Sequence, residues 1–303
     1  IAGGGALIPD TVSEDVIELL RAATKVRKMG ATSMPMDRGS LSMPFLSTGA
    51  AAAYVGENAN ITKTEPSFGQ LHLTAHKLAA LVAVSNDLLR DTSGRADGIV
   101  RDDLIAAVSA KEDGVFIRGL GVSGETKGSA GWLKDDNAWN VYDANATSTL
   151  ANVTSDLVKA IRLLLDGNAP MRQPGWLFAP RTWAALFSAR DVNGNLVWAE
   201  EMGRGTLMGY PFGQTTQIPS NLGTGSDESE IYFVDFPLCI IGETTQLEVA
   251  SSDSAAYHDG SNVISAFSQD QTSVRAIARH DFGLRQRGKE AALIEKVKWT
   301  SIA

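Results

Sequence analysis

The sequence predicts an α+β fold, and the order of its patterns carries that prediction. Helix-like and strand-like patterns interleave along the 303 residues without the regular βαβ rhythm of a parallel sheet. A polar, Gly- and Ala-rich stretch at residues 49–70 is followed by a nearly continuous apolar strand within residues 77–91 and by a long amphipathic helical pattern at residues 98–120. A hydrophobic content of 44% provides a core for one large domain or two.

The first predicted elements are an arm, a helix and a strand. Residues 1–9 form a Gly-rich arm that is too poor in apolar residues to fold alone. Thr11 and Glu14 have the spacing of a capping box, which starts a helix that Gly30 would end. Apolar residues alternate with polar ones over residues 40–46, which predicts a strand.

The stretch at residues 49–70 predicts a projecting β-ribbon. Residues 51–57 and 68–77 are its two predicted legs, joined by a polar tip at residues 58–66. Structureless loops of this length are uncommon in compact domains and are usually functional. We therefore expect another subunit to cover the ribbon, with Glu57, Lys63 and Glu65 as candidate intersubunit contacts.

The strand and helix after the ribbon predict a packed layer. The apolar run at residues 78–84 indicates a strand covered on both faces, and the helix would be roughly 30 Å long at about six turns. Arg101, Asp102 and Asp103 lie between its apolar positions, as do Lys111, Glu112 and Asp113. Adjacent aspartates point in different directions on a helix, so Arg101, Asp102 and Asp103 suit solvated or intersubunit charges better than an acid/base pair.

The rest of the chain predicts further helices and strands. A helix at residues 154–166 would be capped by Thr154 or Ser155 and ended by Gly167. Another helix is expected at residues 181–188, and strands at residues 175–180, 231–236, 239–242, 247–250, 274–284 and 291–299. The basic turn containing Arg285, Arg287 and Lys289 is either a solvated hairpin or an intersubunit contact. Five tryptophans of the middle third are expected in the core: Trp132, Trp139, Trp176, Trp183 and Trp198.

Composition and motifs point away from several function classes. The net charge of −8 argues against a nucleic-acid reader, although local patches could still contact packed DNA. No apolar stretch approaches the roughly 18 residues of a membrane span. The single cysteine, Cys239, lies in an apolar run and is expected to be a core residue.

The sequence contains no convincing catalytic or ligand-binding motif. A GxGxxG match at residues 119–124 follows a helix and opens a loop, whereas a dinucleotide fingerprint follows a strand and opens a helix. His72 and His76 would lie about 13 Å apart along a strand, too far for one metal ion. We expect no catalytic, cofactor-binding or metal-binding residues.

Four segments together resemble a known family. The chain looks like the major capsid proteins of tailed bacteriophages in these segments: GGGALIPDTVSEDVIELLRAATKVRKMGA, SLSMPFL, AYVGENANI with PSFGQLHLTAHKLAALVAVSNDLLRD, and VRDDLIAAVSAKEDGVFIRGLG. Their fold is the Hong Kong 97 type, which encapsulins share. The resemblance extends over the whole chain in segment order and is most specific from residue 1 to about residue 133.

The resemblance implies an architecture with five parts. These are an N-terminal arm and first helix (1–46), an extension loop (47–77), a peripheral domain with a spine helix at 97–119 (78–124), an axial domain (125–265) and C-terminal strands returning to the peripheral domain (266–303). An upstream scaffolding segment removed by a maturation protease would account for the first residue, Ile1.

The resemblance also implies partners and a location. Pentamers and hexamers of this chain would form an icosahedral shell around double-stranded DNA, contacted nonspecifically, in a virion assembled in the bacterial cytoplasm. A portal, a maturation protease and decoration proteins are further expected partners, and a membrane is not. Some members join subunits through a Lys–Asn bond promoted by a Glu. Lys63 could take that role, but residues 278–282 lack a Glu, which predicts a shell held noncovalently.

Two other functions remain open from the sequence. One is an encapsulin-like compartment around cargo protein, which would differ from a virus in whether the particles contain DNA or enzyme. The other is a soluble hydrolase or binding protein with a dispersed site, which would form a small oligomer with a saturable pocket.

Overall fold

The computed structural model describes residues 25–57, 60, 63–87, 95–122, 124–300 and 302. The predicted arm and most of the first predicted helix lie outside these residues. The end of that helix is described, and Gly30 has the left-handed φ of 109° that the predicted helix end requires. The described helices are α1 (Lys25–Lys28), α2 (Arg95–Arg118), α3 (Ser129–Asp136), α4 (Leu150–Asp166), α5 (Pro180–Phe187) and α6 (Ala199–Gly203).

The described strands fall into two sheets and two hairpins. In chain order they are β1 (Thr32–Pro35), β2 (Ser40–Thr48), β3 (Ser67–Thr74), β4 (His76–Ser85), β5 (Val141–Asp143), β6 (Pro174–Phe178), β7 (Thr206–Leu207), β8 (Tyr210–Gln214), β9 (Ser229–Asp235), β10 (Cys239–Ser252), β11 (Ala256–His258), β12 (Val263–Ser265), β13 (Gln271–Leu284) and β14 (Ala291–Val297).

A six-stranded sheet holds the largest core. Its strand order is β5-β14-β9-β6-β8-β7, and every residue of β6 and β9 is buried. The apolar face of α4 packs on it through Leu157, Ala160 and Leu164. Trp176 lies fully buried with its ring 4.3 Å from that of Phe233. The other face of this sheet packs against the long helix and the four-stranded sheet, through a second core cluster that includes Leu177 and Tyr232.

A four-stranded sheet carries the long helix. Its order is β1-β10-β13-β4, and α2 covers one face by packing Leu104, Ile105 and Val108 against it. The helix of 24 residues spans about 36 Å. It ends at Arg118, and the glycine-rich segment that follows is a loop, as the sequence predicted. No helix in the described parts of the chain is long and apolar enough to cross a membrane.

The ribbon, here residues 40–74, is an antiparallel hairpin based on the open face of the four-stranded sheet. β2 and β3 pair from Ser40↔Thr74 to Thr48↔Ser67. At the base, Leu71 and Leu73 are buried, and a side chain on Gly283 would come within 2.7 Å of Leu73. A glycine at this position therefore lets the ribbon lie directly on β13.

Several predicted boundaries were wrong. The first leg of the ribbon is β2 rather than residues 51–57, which form no strand. The two strands predicted at residues 239–250 are one strand, β10, with register shifts between residues 243 and 248. The cap of α4 is Thr149, whose side chain accepts from the Asn152 N–H, while the Thr154 hydroxyl donates to the Leu150 carbonyl inside the helix.

Three predictions about burial and pairing were also wrong. β4 is covered on one face only, and Leu81 on the other face is 48% exposed. The basic turn is not a hairpin, because β13 lies in the four-stranded sheet and β14 in the six-stranded sheet. Trp139 is 88% exposed, whereas Trp176 and Trp198 are core residues as predicted.

Candidate assembly surface

The ribbon presents apolar side chains that its own subunit does not cover. Tyr54 is fully exposed, and Phe68 and Leu46 are 73% and 55% exposed. All three lie in or beside the segment between β2 and β3. A large exposed apolar set of this kind is typical of a protein–protein contact.

The candidate charges at the ribbon tip lie in solvent. Glu57 is exposed, and Lys63 forms an ion pair with Glu65. Both partners of this pair are largely exposed, at 81% and 74%, so the pair adds little to the stability of the subunit. The tip therefore offers charges of both signs for an external contact.

The candidate charges on α2 lie in its N-terminal half. Asp102 and Asp103 are exposed, and Arg101 is half-buried. The two aspartates precede Leu104 and Ile105, which face the four-stranded sheet. The helix therefore places the carboxylates on its solvent side, as predicted.

The basic turn contacts the ribbon of its own subunit. Arg285, Arg287 and Lys289 are all exposed. The Arg287 guanidinium donates to the Gln70 carbonyl at 3.2 Å and lies 5.6 Å from the centre of the Phe45 ring. One of the three candidates thus supports the ribbon from beneath, which the sequence did not indicate.

A buried carboxylate fixes this turn between the two sheets. Glu290 is fully buried and accepts from the backbone N–H groups of Gln286 at 2.7 Å and Gly288 at 3.1 Å. The pKa of Glu290 is raised to about 7, chiefly by burial and to a smaller extent by the nearby Asp235 carboxylate, although the backbone donors act to lower it. Glu290 therefore exchanges its proton near neutral pH at the crossover between the sheets.

A second buried charge group joins α1 to α2 and was missed from the sequence. Glu112 is 1% exposed and accepts from Arg27 Nε at 2.9 Å, and Arg27 also pairs with Glu243. Burial raises the pKa of the Glu112 carboxyl, and the Arg27 charge opposes that shift. Glu112 was placed on the polar side of the helix, although its spacing of four from Val108 and from Phe116 put it in the buried stripe.

The neighbouring Asp113 closes the same junction. Its carboxylate accepts from the backbone N–H groups of Lys25 at 2.9 Å and Val26 at 3.0 Å and from the Thr215 hydroxyl. Burial raises the pKa of Asp113. The long helix thus anchors the start of the described chain.

The ribbon base is held by a third buried carboxylate. Asp281 accepts from the backbone N–H of Thr74, the last residue of β3, at 2.8 Å, and burial raises its pKa. The adjacent His280 is buried on the opposite face, and its pKa is lowered to about 4, chiefly by burial. The histidine is therefore neutral at pH 7.

No group of three or more His, Cys, Asp or Glu side chains in the described parts of the chain could hold a metal ion. Cys239 is a buried core residue, as predicted, and burial raises the pKa of its thiol.

The chain is similar in sequence to known phage capsid proteins. A model of the phage capsid family matches residues 4–292. The "Major capsid protein" of Klebsiella oxytoca phage phiKO2 is 40% identical over 283 residues, which cover 93% of this chain and 66% of the relative, just under two thirds of its length.

Solved structures show the same fold at low sequence identity. A chain from Mycobacterium phage Bobi has a TM-score of 0.71 at 18% identity, covering 90% of this chain and 89% of that one. A chain titled "Capsid of native GTA particle computed with C5 symmetry" has a TM-score of 0.68 at 20% identity, covering 90% of each. The fold is the expected α+β fold of the Hong Kong 97 type. The family model and the 40% identical relative favour a phage capsid over an encapsulin-like compartment. The chain belongs to the phage capsid family.

Proposed function

We propose that this chain is a major capsid subunit that assembles through pentamers and hexamers into an icosahedral shell enclosing double-stranded DNA. The observation that carries the proposal is the ribbon, whose exposed Tyr54, Phe68 and Leu46 need cover that the described subunit does not provide. The family of this chain supports the same proposal, because the matched relative is a major capsid protein. The subunit works by forming contacts and catalyses no reaction.

The two halves of the molecule take different roles in this proposal. The six-stranded sheet would be the axial domain, which meets its counterparts at the five- and sixfold centres. The four-stranded sheet with α2 would be the peripheral domain, from which the ribbon reaches a neighbour. Many such contacts act together around a closed shell, so each one can be weak.

The contacts are proposed to be noncovalent. Lys63 is paired with Glu65 rather than held in a dry pocket, and residues 278–282 supply Asp281 but no Glu. Asp281 already accepts two backbone N–H groups, from Thr74 and Phe282. Denaturing electrophoresis of assembled particles should therefore show a single-subunit band.

Negative-stain microscopy of the purified chain tests the proposal. We expect closed shells from the wild type and folded but unassembled subunits after deletion of residues 57–66. A double substitution of exposed residues away from the ribbon, Arg162→Ala with Arg204→Ala, is the matched control and should leave shells intact. A wild type that stays a small oligomer under all assembly conditions would refute the proposal.

A further inference from the structure

An open groove lies between helix α1 and the six-stranded sheet, on the side of the molecule that also carries α2. Its volume of about 450 Å³ is within the roughly 300–1,000 Å³ of typical ligand sites. We call it the α1 groove, and the side chains that line it include Lys25, Lys28, Met29, Gln173, Phe212 and Gln214.

Two contacts hold α1 in the position that forms this groove. A side chain on Gly175 of β6 would come within 2.7 Å of the Met29 side chain, so the glycine lets α1 lie close to the sheet. The Asp113 carboxylate of α2 accepts from the backbone N–H groups of Lys25 and Val26. Both lysines of α1 are therefore placed at the rim of the groove.

The ammonium groups of these two lysines have no anionic partner within the described residues. Lys25 is half-buried and Lys28 is exposed, and neither side chain forms an ion pair or a hydrogen bond there. The carboxylates beside α1 are engaged elsewhere, because Glu112 pairs with Arg27 and Asp113 accepts from the backbone. Residues three apart on a helix are neighbours on its surface, so the two lysine charges lie close together and repel each other.

Two carboxamides add neutral hydrogen-bond donors to this cationic rim. Gln173 is exposed and Gln214 is half-buried, and their side chains make no hydrogen bond within the described residues. None of the described residues that line the groove is acidic. Ammonium and carboxamide N–H groups are among the donors that proteins use to bind the phosphate oxygens of DNA.

The charge of the rest of the chain favours a polyanion at this place over other places on the subunit. The net charge is −8, so most of the surface repels DNA, and a contact is favourable only where unpaired cations lie together without carboxylates. The groove also lies on the side of α2, whereas the ribbon is based on the other face of the four-stranded sheet. The contacts proposed for the ribbon therefore leave the groove free.

We propose that the α1 groove binds the phosphate backbone of the double-stranded DNA that the shell encloses. The ammonium groups of Lys25 and Lys28 each neutralise one phosphate, and the carboxamides of Gln173 and Gln214 donate to neighbouring phosphate oxygens. Contacts of this kind position the duplex without reading its sequence. The inference rests on the proposed function and adds to it the site at which the subunit contacts DNA.

Binding of a fluorescent duplex to the full chain, followed by anisotropy between about 50 and 200 mM salt, tests this site. Lys25→Gln with Lys28→Gln should weaken binding at least fivefold at the lowest salt concentration. The slope of log affinity against log salt should become shallower by about 2, because each neutralised phosphate contributes about 0.9. Arg162→Gln with Arg204→Gln removes the same charge from two exposed ion pairs and is the matched control, which should bind within twofold of the wild type.

Acetylation of lysines in DNA-filled and emptied particles measures the same contact in the shell. Mass spectrometry should show that Lys25 and Lys28 react at least threefold more slowly in filled particles. Lys296, which is exposed and paired with Asp143, is the internal control and should react equally in both.

Three results would overturn the inference while leaving the proposed function intact. The first is equal affinity and equal salt slope of the wild type and the Lys25→Gln, Lys28→Gln variant. The second is equal acetylation of both lysines in filled and emptied particles. The third is a poly-glutamate peptide that binds the wild type more tightly than the duplex does and loses that affinity in the variant, which would assign the groove to an acidic protein segment. Failure of the wild type to form shells would instead refute the proposed function itself.

Discussion

The six-stranded sheet and the four-stranded sheet use the same kinds of strands but cover them differently. In the first, strands β6 and β9 are buried along their whole length, by α4 and α5 on one face and by α2 and α3 on the other. In the second, α2 covers one face and the ribbon base covers part of the other, which leaves Leu81, Lys77 and Arg279 exposed. The six-stranded sheet is thus covered on both faces within the subunit, whereas the four-stranded sheet leaves part of one face exposed.

The largest expected effect is on the core of the six-stranded sheet. Trp176→Ala removes a fully buried ring and should lower the free energy of unfolding of the subunit by about 3–5 kcal/mol. Chemical denaturation of the unassembled subunit measures this. The matched control, Tyr54→Ala on the ribbon, should change that free energy by less than about 0.5 kcal/mol and reduce assembly instead. A similar loss of stability in both variants would remove the contrast between the two halves.

The next effect concerns the buried ion pair that joins α1 to α2. Arg27→Met should lower the free energy of unfolding by about 3 kcal/mol, because it leaves the Glu112 carboxylate buried without its cation. The double variant Arg27→Met with Glu112→Gln should recover part of that loss, since the buried Glu112 carboxylate is then removed and only the partly exposed Glu243 is left without its cation. Equal stability of the single and double variants, measured by chemical denaturation, would contradict this reading of the pair.

A third effect is a pH dependence at the crossover between the sheets. The pKa of Glu290 is raised to about 7 in the folded state, from an ordinary value of 4.5, so the folded state binds more protons between these two values. The stabilising contribution of the protonated group is complete below about pH 4.5 and is lost as the pH rises through about 7. The unfolding free energy should therefore fall by about 2–3 kcal/mol more in the wild type than in Glu290→Gln between pH 4.5 and pH 8. Identical pH profiles of the two proteins would rule out this role.

The smallest effect is expected at the basic turn. Arg287→Ala removes one hydrogen bond to the Gln70 carbonyl and a contact with the Phe45 ring, both exposed. The unfolding free energy should fall by about 0.5–1 kcal/mol. Lys289→Ala, which removes an exposed charge from the same turn, is the control and should have no measurable effect on it.

The sequence predicted the elements whose periodicity is long and regular. The 24-residue helix α2, its end at the glycine-rich loop, the end of α4 at Gly167 and the buried strands β6 and β9 were all expected. Their apolar positions face a core of the same chain, so pattern and burial agree. The presence of a ribbon was also predicted, but from composition: a stretch this polar cannot form a core of its own.

Several features that the sequence did not predict depend on contacts between segments distant in sequence. The strand Thr32–Pro35, which pairs with β10, was not expected, and the position of Glu112 beside Arg27 depends on a residue 85 positions away. The single exposed face of β4 was missed because an apolar run looks the same whether a helix or a second subunit covers it. Trp139 was expected in the core for a similar reason, since composition alone does not distinguish a tryptophan at an outer surface from one in a core.

Hydroxyl-radical footprinting of assembled particles and of free subunits measures whether neighbouring copies cover the ribbon. We expect labelling of Tyr54 and Phe68, both largely exposed in the subunit, to fall at least fivefold on assembly, while Trp176 stays protected in both states. Equal labelling of Tyr54 and Phe68 in particles and free subunits would contradict this expectation.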